Sequence, residues 1–159
     1  MTAAELKLDE YIFAMFVGDP NAGKTTAAAL FPKPMLVFDS DYKFQQVLGH
    51  PLIKGQSWLK DIEIIRPRTI KEIDERLTLL QLKSKKDFPY ATILDDSLTA
   101  QADLFINEAF QWTKLLVNKE GEAGSFHKKL GPKDLPGFDE WAFETKCFTD
   151  LIMALKVLP

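Results

Sequence analysis

The sequence predicts an α/β domain, a mainly parallel sheet flanked by helices, and three observations carry that expectation. Runs rich in β-formers at 11–17, 35–39, 62–67 and 90–96 are separated by stretches with helical character, the order expected of parallel βαβ units. The first two runs, "YIFAMFV" and "MLVFD", are apolar without alternation, as in strands covered on both faces. A glycine-rich turn, Gly18 to Gly23, joins the first run to the first helical stretch.

Each element has a local reason. The segment 11–17 is expected to be a buried strand, and "KTTAAALF" a short helix that stops before Pro32, because the residue preceding proline disfavours helical angles. "MLVFD" is a second buried strand, and "IEIIRP" alternates enough to be an edge strand. Thr69 and Glu72 form a capping box, and the helix they open carries Ile70, Ile73, Leu77 and Leu80 on one stripe, the face that packs on a sheet. "YATILDD" is the next strand. A long helix from Ser97 presents Leu98, Ala102, Phe105, Ala109, Trp112 and Leu116 as a packing stripe. The stretch 118–137 loses periodicity and is expected to be a loop, before a final amphipathic helix in "DEWAFETKCFTDLIMALKVLP". No repeat or low-complexity tract interrupts the 159 residues, so residues 1–159 are expected to form one domain.

Composition narrows the function classes. With 46% hydrophobic and 27% charged residues, the chain matches ordinary globular proteins. Its formal charge of −3 gives no global attraction to nucleic acid or membrane, so such a contact needs a local patch. The longest apolar run is far below the about 20 residues that span a bilayer. The acidic start "MTAAELKLDE" lacks the apolar core of an export signal, and Cys147 is the single cysteine. No disulfide can form within the chain; a reducing cytosol is expected, with Cys147 as a small hydrophobe on a helix.

The spacing Gly18-x-x-x-x-Gly23-Lys24-Thr25 is that of a phosphate-binding P-loop. Glycine permits the backbone angles that turn successive amides toward a phosphate chain, so Gly18, Asp19, Pro20, Asn21, Ala22 and Gly23 form the candidate cradle. Lys24 is placed to reach the β- and γ-phosphates, Thr25 to ligate Mg²⁺ and Thr26 to meet the α-phosphate. "ATILDD" then supplies a strand-end carboxylate for the metal. Asp95 and Asp96 are both candidates: counting strand residues favours Asp95, and the Asp-Ser-apolar context favours Asp96, while either could instead cap the helix beginning near Ser97. In "VFDSD", Asp41 is a candidate to activate the attacking water and Asp39 to hold the loop, against the alternative of a solvated acidic turn.

Together "GDPNAGKTT", "LVFDSD", "ATILDDSLT" and the tryptophan-led last helix resemble the RecA-like branch of P-loop ATPases. The likeness is strongest to phage-encoded AAA-type nucleotide-binding proteins, which include single-strand annealing and recombination ATPases. The resemblance implies a RecA-like P-loop NTPase core, ATP and Mg²⁺ as ligands, and phosphoanhydride hydrolysis in phage DNA recombination or replication. It also implies a homo-oligomer or larger DNA-processing assembly in the cytoplasm of an infected or lysogenic host, with a lysine or arginine acting from a neighbouring subunit. Two departures stand out. Asp41 replaces a usual glutamate, and the sequence stops at Pro159, before a further core strand of that branch; a fragment or an abbreviated relative is therefore expected. The resemblance places a DNA-binding loop near 119–137, where Phe126, His127, Lys128, Lys129 and Lys133 combine stacking and phosphate-binding groups. A merely flexible connection is the competing reading.

Two rival classes share the loop. A small-molecule kinase generally clamps phosphate with lid arginines, but Arg66, Arg68 and Arg76 all precede "ATILDD". A GTPase is weaker, since "NKEG" at 118–121 has Gly121 where a guanine-reading motif needs aspartate. A non-catalytic nucleotide-binding module remains the main alternative to an ATPase.

Overall fold

A computed structural model describes residues 12–120 and 138–159, with side chains described for 12–109 and 141–159. The elements in chain order are α1 (Lys24–Ala28), β1 (Met35–Asp39), α2 (Phe44–Leu48), β2 (Ile62–Ile65), α3 (Ile70–Gln81), β3 (Thr92–Asp96), α4 (Leu98–Glu120) and α5 (Phe138–Lys156). The three strands form a parallel sheet in the order β2-β1-β3, so the expected α/β class holds, with a small sheet. β2 is an edge strand, as its alternation implies.

Central β1 is buried at all five positions, which accounts for its continuous apolar run. Its side chains alternate between two cores. Leu36 and Phe38 join Ile73, Leu77, Leu80, Phe105 and Leu151 on one face. Met35 and Val37 join Ala29, Phe44, Val47 and Ile53 on the other. Cys147 is half-buried beside the first core, as a small hydrophobe would be.

The cap of α3 follows from its sequence. Thr69 Oγ1 accepts from the Glu72 amide at 3.3 Å, while the Glu72 carboxylate accepts from the Arg68 amide at 2.9 Å, one residue before the N-cap. Thr69→Ala is expected to lower stability by about 1 kcal/mol, read as a lower melting temperature with an unchanged circular dichroism spectrum. Arg76 on α3 donates to Glu63 of β2 and to Tyr90 just before β3, tying the helix to both outer strands.

One expectation fails. Residues 12–17 are not a strand, and they are exposed: Ile12 by 89% and Val17 by 82%. Residue 11 lies outside the described residues. Strand propensity is realised only where a neighbour supplies the hydrogen-bond ladder and a packing surface. Here the sheet ends at β3, and the segment makes no ladder with it among the described residues. It is held instead by side chains, with Phe16 edge-on to Phe31 at 5.8 Å and Lys156 over the Phe13 ring at 5.8 Å. Residues 118–120, expected to open a loop, belong instead to α4, and the rest of that expected loop, 121–137, lies outside the described residues.

Candidate functional site

Parallel strands place their carboxyl ends on one edge, where α/β sheets gather ligand groups. Here β1 ends in Asp39 and β3 in Asp96, and the register sets these two residues side by side. Alternation separates the two aspartates of "DD". Ile93 packs against the core formed by α3, α4 and α5, while Leu94 packs against the core beside α1 and α2. Asp95 therefore shares a face with Ile93, and Asp96 shares one with Leu94.

That geometry brings Asp96, not Asp95, to the glycine-rich loop. Thr25 Oγ1 donates to Asp96 Oδ1 at 3.2 Å. Asp95 instead accepts from Gln101 Nε2 at 2.6 Å on the opposite face. The Ser40 amide donates to the Asp96 carbonyl at 2.7 Å, tying the ends of β1 and β3 together.

The loop before α1 is closed by local chemistry. Gly23 has φ +84 and Asn21 φ +64, left-handed angles that glycine takes freely and asparagine tolerates. Gly18 has no such requirement; a methyl group there would make ordinary contacts with Ala22 and Lys24. Lys24 Nζ donates to the Gly18 and Asp19 carbonyls, both at 2.8 Å, so the ammonium folds back over the loop that it would serve. Helix α1 has only five residues, which limits its dipole and leaves Lys24 and the loop amides as the main anion-attracting groups. Thr26 is half-buried in the first turn of α1.

The acidic pair after β1 divides its work. Asp39 is fully buried and accepts from the Phe44 amide at 3.0 Å and from Arg66 Nε at 3.2 Å. It holds the loop and the start of α2, as expected of it. Asp41 accepts from the Lys43 amide and pairs with the Lys43 ammonium, both at 3.1 Å. Arg66 also donates to Gln45 and lies over the Tyr42 ring. Sequence reasoning passed over Arg66, although its place directly after β2, on the same carboxyl edge, is a usable signal.

Electrostatics separates the two adjacent carboxyls. Burial pushes Asp95 up to about 7, and the Asp96 carboxylate adds to the rise. Asp96 is also raised, chiefly by burial; its hydrogen bond from Thr25 opposes that, the carboxylates of Asp41 and Asp39 reinforce it, and Lys24 opposes it. A site that destabilises its own negative charge is one in which a cation would be welcome.

The donors present fit magnesium. The Thr25 hydroxyl and Asp96 carboxylate are hard oxygens, and magnesium usually takes one or two carboxylates and completes its shell with water and phosphate oxygens. Among the described residues, no group of three or more His, Cys, Asp or Glu is placed to hold a metal ion. Phe126, His127, Lys128, Lys129 and Lys133, the candidate DNA contacts, lie outside the described residues. No helix among the described residues is long and apolar enough to cross a membrane. Comparisons with protein-family models, with curated proteins and with solved structures found no match.

Proposed function

We propose that the chain binds ATP with magnesium at residues 18–26 and hydrolyses it, as a RecA-like P-loop protein of phage DNA recombination or replication. One observation supports this reading above the others. The Thr25–Asp96 hydrogen bond joins the glycine-rich loop to a strand end 71 residues away, pairing the two oxygen types that a P-loop site presents to magnesium. In this reading Lys24 leaves the Gly18 and Asp19 carbonyls to neutralise the phosphates. Thr25 and Asp96 hold the metal, whose charge would stabilise the transferring phosphoryl group. Asp41 orients the attacking water, and Asp39 with Arg66 keeps the Asp41 loop in place.

A second reading, nucleotide binding without turnover, is favoured by one contact. Asp41 is engaged by both the amide and the ammonium of Lys43, which competes with a role as base. Steady-state ATP hydrolysis with and without single-stranded DNA, at low and moderate salt, separates the two. Turnover stimulated by DNA and weakened by salt supports the recombination ATPase, whereas ATP binding with no turnover in either condition supports the binding module. Lys24→Ala is expected to weaken ATP binding about 10- to 100-fold, the loss of a charge-assisted contact, measured by calorimetric titration.

A further inference from the structure

We infer that Gln101, a residue of α4, is a positioning residue that sets the direction in which Asp96 is presented. The inference rests on the magnesium nucleotide reading of the site and names the part that orients its carboxylate. Gln101 is fully buried, an uncommon place for an amide that could have been apolar. Its position explains what it does there. Its backbone amide donates to the Ser97 carbonyl at 3.1 Å, while its side chain reaches back to Asp95 at 2.6 Å. Ser97 Oγ accepts from the Ala100 amide at 3.3 Å. These bonds close a ring across the strand–helix junction 95–101, with Asp96 at its centre.

Asp96 is thereby fixed from two sides. Gln101 clamps the preceding residue on the α4 face, and Thr25 engages Asp96 itself on the α1 face. The clamp is directional because it is polar. The Gln101–Asp95 bond adds a directional restraint to a strand end whose backbone is already held by the β1 ladder and the Ser40 amide. The groups that orient metal ligands typically change metal affinity about 10- to 100-fold when removed.

The test measures ATP affinity in magnesium and in EDTA and takes the ratio as the metal-dependent gain. It compares the wild type with Gln101→Met and with the double variant Asp95→Leu/Gln101→Met. The double variant removes both polar partners, so no buried carboxylate is left unpaired and folding is preserved even where the single variant fails. The expected result is a metal-dependent gain reduced about tenfold in each folded variant, with affinity in EDTA within about twofold of wild type. A double variant that folds and keeps the full gain overturns the inference, leaving Gln101 as a partner that only satisfies Asp95. A wild-type protein that binds ATP in neither condition overturns the nucleotide reading, and this inference falls with it. Wild-type ATP binding without any metal-dependent gain overturns the inference together with the magnesium part of that reading, and leaves nucleotide binding at the loop standing.

Discussion

Asp96→Asn is expected to lower ATP affinity in magnesium by about 10- to 100-fold, the scale of a charge-assisted contact, while affinity in EDTA changes little. Asparagine keeps an oxygen that can accept from Thr25 Oγ1, so the loop stays attached to β3. It removes only the charge that the metal would use. Folding should not suffer. Burial and the carboxylates of Asp41 and Asp39 already raise the Asp96 pKa, so a neutral side chain relieves a cost in the folded state. The variant should therefore melt at or above the wild-type temperature while losing its metal-dependent binding. Loss of binding without loss of stability cannot be ascribed to misfolding. Calorimetric titration in both buffers, with a thermal melt on the same sample, checks it; wild-type affinity in magnesium would remove Asp96 from the metal site.

The choice between Asp95 and Asp96 illustrates what the sequence can and cannot express. Both lie in the same strand, and neighbouring residues on a strand face opposite sides; only knowledge of which face carries α1 assigns them. The cap at Thr69, the stripe Ile73, Leu77 and Leu80, and the two-sided burial of "MLVFD" were legible because each follows from local periodicity or spacing. The segment 12–17 was misread because apolar β-formers signal a strand only where a ladder partner exists, and a partner is not a local property. Gln101 was hidden within a readable pattern. It lies three residues after Leu98 and four before Phe105, on the stripe taken to be core, and a lone amide on a buried stripe is a signal that stripe-counting overlooks. Asp39 and Asp41 were legible as a pair near the carboxyl edge, but the division of labour between them depends on Arg66, Phe44 and Lys43. Those three partners arrive from just after β2, from α2 and from the loop itself.

Asp95→Asn is expected to stabilise the protein, by an amount that grows with pH. The Asp95 Oδ2 and Gln101 Oε1 atoms are both buried without a hydrogen-bond partner, although they belong to two groups already joined by one bond. An ionised carboxylate cannot satisfy the amide oxygen, because both are acceptors. Asparagine can accept from Gln101 Nε2 and donate to Gln101 Oε1, pairing both orphaned atoms. The pH dependence follows from the same burial. Asp95 rises from an ordinary 3.8 to about 7 in the folded protein, so folding disfavours its charged form. Below about pH 4 the group is protonated in both states and costs nothing. As pH climbs to about 7 the unfolded chain ionises while the folded one resists, and wild-type stability falls. Above that the cost is constant, up to about 4 kcal/mol for a displacement of this size. The asparagine variant carries none of this penalty. Its melting temperature should exceed that of wild type by little at pH 4.5 and by roughly 10 °C at pH 8, in EDTA so that no divalent ion contributes. A gap that stays flat with pH would mean that Asp95 does not titrate between its ordinary value and 7. A variant less stable than wild type at pH 8 would mean that the charge Asp95 carries in the fold at that pH is compensated by something other than Gln101.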